Sequence, residues 1–298
     1  MMKQQSFAAS CLLAAAMLSA CSSDDVQTPA EPMRPISVEV NQRPMKTDGA
    51  TSGESQVSRA DITTTETLAN FSFRGIYGGG VSEYTASKSV EAWTVTPDVW
   101  PGAPNGSKVP FYAFTGGTFQ SNSDNPYINF TASENASTQH DLLVATNSVA
   151  YNDHQGKVPL SFDHACAAVV FSVQMTKALQ TQLAGTSLNV SSIVLRNASK
   201  SGRYYFEAST WKDVGTSTYY TLHNSNLLVT TEAQLLSCGH LFLIPQTRAA
   251  NGTEGTYIEV SYTFSGQTAS SAVIPLDVNW QAGTEYPIDI RLGTKLIK

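Results

Sequence analysis

The sequence has little charge and few cysteines, and each shortage excludes a class of protein. Charged residues make up 14% of the 298 residues, and the net charge is −6. Because Lys and Arg drive binding to phosphate backbones, we expect no nucleic-acid partner. None of the four cysteines has the spacing of a zinc site. Cys166 lies in an apolar stretch and is expected to be buried as a small hydrophobic side chain, although a disulfide with Cys238 is left open.

Motifs that carry catalysis are also missing. The chain has no His-Glu-x-x-His and no Gly-x-Ser-x-Gly sequence. The glycine triplet at residues 78–80 lacks the spacing of a phosphate-binding loop and predicts a turn. His164 precedes an apolar strand, so we interpret it as a core histidine held by a hydrogen bond rather than as a catalytic base. We therefore expect no cofactor and no metal site, and enzyme activity is only the third of the functions considered.

An apolar run at the N-terminus, about a dozen residues long, is too short to span a membrane. It follows one positive charge at Lys3 and ends in small residues, which is typical of a secretory signal peptide. Its last residues, Leu-Ser-Ala-Cys, resemble a bacterial lipobox, which implies cleavage between Ala20 and Cys21 and a lipid on Cys21. The Ser-Ser-Asp-Asp that follows resembles the export signal of Bacteroidota surface lipoproteins. Both resemblances imply a lipoprotein that is anchored in the outer membrane and exposed at the cell surface.

The first part of the mature chain has the composition of a tether. Residues 22–35 and 41–58 are rich in Ser, Thr, Pro, Gln and Gly, so they bury too little apolar surface to offset the entropy of ordering. Between these two stretches, aliphatic and polar residues alternate, which predicts one isolated strand. The aliphatic residues of that strand are Ile36, Val38 and Val40.

Beyond residue 61 the sequence predicts short strands separated by turn residues. Helical periodicity is confined to Met175–Ala184 and Thr231–Leu236, and the strand–helix rhythm of a parallel α/β sheet is missing, so we predict an all-β fold of sandwich type. The predicted strands are Asn70–Tyr77, Val109–Phe114, Tyr127–Phe130, Leu142–Thr146, Val158–Phe162, Ala167–Gln174, Leu188–Leu195, Arg203–Glu207, Leu227–Thr230, Leu241–Ile244, Tyr257–Phe264, Ala272–Leu276 and Tyr286–Leu292. A polar turn near residue 156 separates two halves, which predicts a signal peptide at residues 1–20, a tether with an N-terminal strand and loop at 21–58, an N-terminal β-sandwich at 59–156 and a C-terminal β-sandwich at 157–298.

Three blocks of the folded part carry recognisable motifs. The first has Trp93, then a Trp-Pro pair at 100–101, then the strand Val109–Phe114. The second has Asp-Leu-Leu at 141–143 and a Phe-Asp-His sequence that ends at His164. The third has Leu-Phe-Leu-Ile-Pro-Gln at 241–246, followed by a strand. In this order, behind a lipobox, the blocks resemble the fimbrillin (Mfa-like) family of Bacteroidota, the subunits of type V pili.

This resemblance implies both a fold and a route of assembly. The fold is two tandem transthyretin-like β-sandwich domains. The route is export as a lipoprotein, then trimming by a trypsin-like protease after an Arg in the N-terminal loop. Trimming removes the first strand and opens a groove that an extended segment of the next subunit fills. The expected function is therefore that of a non-enzymatic fimbrial subunit or adhesin-like lipoprotein, with other subunits and host or bacterial surface receptors as partners.

Three sets of residues are candidates for these steps. Arg59-Ala60 is the candidate cleavage site, because Arg34 and Arg43 are each followed by a proline, which blocks trypsin-like proteases. Lys46 remains open to a protease that is less selective for Arg. The candidate displaced strand consists of Ile36, Val38 and Val40, and the candidate donor strand consists of Ile288, Ile290 and Leu292. For the second of these strands, the alternative role is simply that of last strand in its own domain.

A second functional class fits the same composition. A monomeric glycan-binding surface lipoprotein would use exposed aromatic rings as platforms for sugars, and Trp93, Trp100 and Tyr204 are the candidates. Core packing is the more common role of such residues. The two classes are distinguished by whether these rings are exposed and by whether the protein forms polymers.

Overall fold

Short strands follow one another through the residues that the computed structural model describes, which are 34–48, 62–90, 92–122, 125–215, 217–265 and 267–296. The strands are β1 (Ser37–Gln42), β2 (Lys46–Thr47), β3 (Asn70–Tyr77), β4 (Gly80–Ser89), β5 (Ala92–Thr96), β6 (Lys108–Phe114), β7 (Thr118–Gln120), β8 (Tyr127–Thr131), β9 (Leu143–Ala150), β10 (Lys157–His164), β11 (Ala167–Met175), β12 (Leu188–Ser199), β13 (Ser201–Tyr205), β14 (Thr210–Lys212), β15 (Ser217–His223), β16 (Leu227–Leu228), β17 (Gln234–Leu243), β18 (Gln246–Arg248), β19 (Tyr257–Phe264), β20 (Ser270–Pro275), β21 (Val278–Trp280) and β22 (Thr284–Leu292). The short helices are α1 (Tyr151–His154) and α2 (Lys177–Leu183), with 3₁₀ turns at Ala136–Thr138 and Thr294–Leu296. The all-β prediction is confirmed.

The local predictions hold for most elements. Each strand predicted beyond residue 61 overlaps an observed strand, and the predicted helical piece at 175–184 contains α2. Thr176 caps that helix, because its side-chain oxygen accepts a hydrogen bond from the Leu179 N–H. The helix predicted at Thr231–Leu236 is wrong, since β17 begins at Gln234 and pairs with β11. A short apolar run has no period of its own to choose between helix and strand, so long-range pairing decides.

The N-terminal half is a seven-stranded sheet in the order β1-β10-β9-β6-β3-β4-β5. β10 pairs with β9 only at Asp163 and His164, so β1 and β10 diverge from the other strands and the core fills the space between. Large apolar side chains from both sides meet in this N-terminal core, among them Phe71, Phe73, Phe111, Leu160 and Phe162. The arrangement is that of a sandwich made from one strongly bent sheet.

The strand β10, which follows the polar turn near residue 156, packs in the N-terminal core. Val158, Leu160 and Phe162 of β10 are buried in the N-terminal core, and β11 is the first strand of the second core. The polar turn near residue 156 is therefore a connection within the N-terminal half, between α1 and β10. The sequence marks that turn, but the pairing of β10 with β1 and β9 assigns the strand to its half.

The C-terminal half packs two sheets face to face. One has the order β17-β11-β22-β2 and the other β15-β12-β19-β20, with β16 beside β12. Their inner faces form the C-terminal core, in which Val169 and Phe171 of β11 meet Ile193 of β12 and Val260 of β19. This alternation of buried and outward residues is what the sequence shows most clearly in β19.

A smaller sheet in the order β14-β13-β8-β7 joins the two halves. β8 comes from the N-terminal half and pairs with β13 of the C-terminal half. Tyr204 of this sheet belongs to a third apolar cluster that includes Phe114, Phe206 and Phe242, and Trp211 packs against that cluster. The described residues consequently form one compact unit rather than two separable ones.

Candidate functional site

The N-terminal strand β1 lies at the edge of the N-terminal sandwich. It runs parallel to β10, with Ser37 opposite Lys157 and Gln42 opposite Phe162. Ile36 and Val38 are 4% and 9% exposed, and the half-buried Val40 packs against the same core. Although the residues on either side of it have the composition of a tether, β1 supplies an edge strand and part of the core.

The beginning of β1 is fastened to the loop after β5. The Ile36 N–H donates to Asp98 O at 3.0 Å, and the Trp100 N–H donates to Arg34 O at 2.7 Å. The Arg34 guanidinium donates to Ala103 O at 2.6 Å and also contacts the Asn105 side chain. These contacts hold the start of the strand, whereas the rest of its outer edge borders an open cavity of about 490 Å³.

Gly156 permits the close approach of β1 at this point. Its carbonyl accepts a hydrogen bond from the Ser37 N–H at 3.0 Å, and its φ of +81° lies in the left-handed region that favours glycine. A Cβ atom there would collide with the Pro35 carbonyl oxygen and lie 2.8 Å from the Tyr151 ring. A substitution at Gly156 should therefore weaken the packing of the start of β1 against the rest of the sandwich.

We expect Gly156→Ala to weaken β1 selectively. Gly185→Ala is the matched control, because Gly185 has a φ of +92° but no atom within 4 Å of an added Cβ. Both variants carry the strain of a positive φ, and only the first adds the collision, so it should lose about 1–3 kcal/mol more in urea unfolding. Amide hydrogen exchange should rise most at residues 35–42. Equal losses in the two variants would contradict this role of Gly156.

The last residue of β1 enters a buried polar cluster. Gln42 Nε2 donates to Thr63 O at 2.5 Å and lies 3.0 Å from His164 Nε2. His164 Nδ1 lies 2.7 Å from Asp141 Oδ2, which also accepts a bond from the Thr63 N–H at 3.2 Å. His164 and Asp141 are 4% and 3% exposed. The prediction that His164 is a hydrogen-bonded core histidine is confirmed, and sequence reasoning missed both Gln42 and Asp141 as its partners.

The second strand of the N-terminal segment, β2, reaches the other half of the molecule. It pairs in parallel with the start of β22. The Lys46 N–H donates to Gly283 O and the Asp48 N–H donates to Glu285 O, both at 2.9 Å. Residues 34–48 therefore place one strand on each sandwich, and β2 has no sequence pattern that could have predicted it.

Beyond β2, the outer edge of β22 has no strand beside it among the described residues. The bonds accepted by Gly283 and Glu285 show that odd-numbered residues of β22 direct their backbone groups toward this edge. Pro287 is the next such residue, and proline, which lacks an N–H, is typical of edge strands. A cavity of about 710 Å³ extends along the edge, with Trp280 and Ile288 in its lining. The edges of β10 and β22 that residues 34–48 cover are thus both suited to strand addition.

The candidate donor strand, β22, is already paired within its own sheet. β22 pairs with β11 from Glu285 to Leu292, and Ile290 and Leu292 are 2% and 1% exposed. Ile288 is half-buried against the same core. The structure therefore places this strand in the role of last strand of the C-terminal half.

The residues predicted for lipidation and processing lie outside the described residues. They are Ala20, Cys21, Arg59 and Ala60. A cut between Arg59 and Ala60 would fall between Asp48 and Ile62 in the chain, after the segment that covers the two edges.

The aromatic residues considered as sugar platforms are mostly core residues. Trp100 and Tyr204 are 3% and 6% exposed, and Trp93 is half-buried beside Phe71. Burial raises the pKa of the Tyr204 phenol, as expected for a hydroxyl withdrawn from water. Neither Trp100 nor Tyr204 is available to a sugar on the surface of this structure.

The described residues contain neither a candidate metal centre nor a reactive cysteine. They contain no cluster of three or more His, Cys, Asp or Glu side chains that could hold a metal ion. Cys166 and Cys238 are not joined by a disulfide. Burial, followed by the charge of Asp141, raises the pKa of the Cys166 thiol well above its usual range, so the thiol stays protonated. In the same residues, no helix is long and apolar enough to cross a membrane.

Comparisons with known proteins agree with this architecture. The family model described as fimbrillin-like matches residues 62–298. A fimbrial protein from Bacteroides vulgatus is similar in structure, with a TM-score of 0.63 at 17% identity over 89% of this chain and 96% of its own. A suggested cell adhesion protein from Parabacteroides distasonis has a TM-score of 0.53 at 12% identity over 87% of this chain and 88% of its own. No curated protein sequence matches the chain.

Proposed function

Because the chain belongs to the fimbrillin-like family, we propose that it is a subunit of a surface fimbrium that polymerises by strand exchange after its N-terminal segment is cut. The family match and a fimbrial protein with a similar fold support the role of a subunit that is structural rather than enzymatic. The exchange takes place at the edges of β10 and β22, which β1 and β2 cover in the uncut chain.

One observation carries this proposal. Residues 34–48 form edge strands on both sandwiches, and the chain connects them to the residues from 62 onward through residues 49–61. A cut at the predicted Arg59-Ala60 bond leaves this segment held by non-covalent contacts alone. An extended segment of another subunit can then take the place of β1 beside β10 and of β2 beside β22.

The energies permit such an exchange. Burying an aliphatic side chain stabilises by about 1.5–3 kcal/mol, so Ile36 and Val38 together contribute roughly 3–6 kcal/mol of gross burial. This amount holds β1 in place in the uncut chain. An incoming strand with the same alternation recovers that burial and the main-chain hydrogen bonds, so the exchange is close to balanced.

In cut protein without another partner, the candidate donor remains β22 of a second copy, and its donation carries a cost. Donation of Ile288, Ile290 and Leu292 would require β22 to leave β11, which it pairs with over eight residues. An extended segment that is not already part of a sheet loses no such contacts when it inserts.

The proposal is tested by cutting purified, unlipidated protein with a trypsin-like protease and running it without boiling on a denaturing gel. We expect a ladder of polymers from the cut protein and a monomer from the uncut protein. Arg59→Ala should remain monomeric under limited cleavage, and Arg248→Ala is the control for general loss of trypsin sites. Monomers in every lane would overturn the proposal.

The lipid anchor is part of the same proposal. We place the lipid on Cys21 and cleavage between Ala20 and Cys21, which would hold the uncut subunit at the outer membrane until the cut after Arg59 separates it from the lipid. Growth with labelled palmitate should label the uncut form of the wild type and leave Cys21→Ala unlabelled, while the uncut form of Cys11→Ala keeps the label. N-terminal sequencing of protein from the cell surface should show a start at Ala60. A start at Cys21 with no shorter form would count against processing.

A further inference from the structure

Two hydrogen-bond acceptors, Thr63 O and His164 Nε2, lie at the end of β1 within reach of the Gln42 amide. Asp141 Oδ2 accepts from His164 Nδ1, so Nδ1 carries the proton and Nε2 presents a lone pair. The Thr63 carbonyl presents a second lone pair. Because one amide nitrogen lies within bonding distance of both atoms, the two N–H groups of Gln42 satisfy both acceptors. A carboxylate or an apolar side chain in the same place could not do so.

The acceptors remain in place when the segment leaves. Thr63, Asp141 and His164 all follow the predicted cut, whereas Gln42 precedes it. Asp141 fixes both acceptors, because the same oxygen binds the Thr63 N–H and the His164 ring. Thr115 holds the Asp141 backbone in turn, donating to its carbonyl at 3.0 Å while accepting from the Leu143 N–H at 2.8 Å. Loss of Gln42 therefore removes the donor from two fixed acceptors, one on the buried His164 and one on the half-buried Thr63, which is costly.

We propose that Thr63 O and His164 Nε2 select the strand that replaces β1, and that the partner is an extended segment of another polypeptide with three alternating aliphatic residues followed, two positions later, by Gln. The pattern is that of Ile36, Val38, Val40 and Gln42, read in the direction of β1. This inference rests on the strand exchange proposed above and adds the chemistry of the partner. A single buried polar contact of this kind fixes register, because a shift of one residue or two removes the amide from its acceptors.

The strand β22 of a second copy fits this site poorly. Its alternation Ile288, Ile290 and Leu292 continues with Thr294, which would occupy the place of Gln42. A threonine hydroxyl has one donor on a much shorter side chain, so it cannot reach both acceptors. The selection therefore favours a strand with a terminal amide over the C-terminal strand of an identical subunit.

The test measures which peptides enter the groove. A full-chain variant carries a site-specific protease sequence in residues 50–58, is cut, and is mixed with labelled peptides whose uptake is followed by fluorescence anisotropy. The peptide of residues 34–48 should displace the resident segment. Its Gln42→Glu and Gln42→Leu forms should bind roughly tenfold to a hundredfold more weakly, which corresponds to losing two hydrogen bonds to part-buried acceptors. The Asn41→Leu peptide is the matched control, because Asn41 is exposed, and should bind within about twofold of wild type on the scale of surface substitutions.

A further peptide and a variant protein distinguish failure of the amide selection from failure of strand exchange. A peptide of residues 286–296 should bind as weakly as the Gln42→Leu peptide. A His164→Leu protein should distinguish the wild-type peptide from its Gln42→Leu form less strongly than the wild-type protein does, because only Thr63 O remains as an acceptor. If this variant does not fold, the peptide series on the wild-type protein decides. Equal binding of all peptides would overturn the selection by amide while leaving strand exchange intact. No uptake of the wild-type peptide would overturn the exchange itself and the selection with it.

Discussion

Replacing Ile36, Val38 and Val40 together with Asp is expected to lower the free energy of unfolding of the uncut protein by at least about 5 kcal/mol, because three aliphatic contacts are lost and charges enter the core. Ile36 and Val38 are nearly fully buried and Val40 is half-buried. Urea titration measures the change directly. After a cut and removal of the segment, the variant and the wild type should unfold at the same urea concentration, since the remaining chains are identical.

The opposite face of the same strand provides the control. Ser37, Glu39 and Asn41 alternate with the core residues and are exposed. The triple variant with Asp at these three positions should lie within about 1 kcal/mol of wild type, as is usual for surface substitutions. Equal urea midpoints for the uncut core-face variant and the wild type would show that β1 does not belong to the fold.

A disulfide between β1 and β10 is expected to abolish polymerisation of the cut protein. Asn41 lies opposite Ser161 in the parallel register, and both residues are exposed. Neighbouring strands lie about 4.8 Å apart, within the range that a disulfide can bridge. The double variant Asn41→Cys/Ser161→Cys, in a Cys21→Ser background, should therefore keep its segment after the cut. The gel should show only monomers until a reductant is added, and then the ladder of the wild type.

This experiment separates displacement of β1 from other routes to assembly. Asn41→Cys alone, oxidised in the same way, should polymerise normally. A ladder from the oxidised double variant would show that subunits join without removal of β1, through some other edge such as that of β22.

Local patterns predicted most strands, and long-range pairing determined the rest. The alternation in β19 is visible because each residue either enters the C-terminal core or faces outward. β2 is two residues long and has no periodicity, so only its bonds to Gly283 and Glu285 define it as a strand. The alternation in β10 predicted a strand, but it could not predict that this strand pairs with β1 on one side and with β9 on the other.

The candidate site was predicted in part. The alternation of Ile36, Val38 and Val40 identified the edge strand, and the proline that follows Arg34 and Arg43 directed attention to Arg59. Gln42 was assigned to a tether, because composition alone treats an amide as a solvent-exposed group. Its role depends on His164, which lies 122 residues away in the sequence and becomes a neighbour only through the parallel pairing of β1 with β10.

The most direct test of the account is to ask whether residues 34–48 remain in the assembled polymer. Polymers formed from the cut protein are purified, dissolved in denaturant and analysed by quantitative mass spectrometry against an isotope-labelled peptide of residues 34–48. The account predicts that this segment is absent from the polymer and recovered in the soluble fraction. One copy of the segment per subunit within the polymer would contradict it.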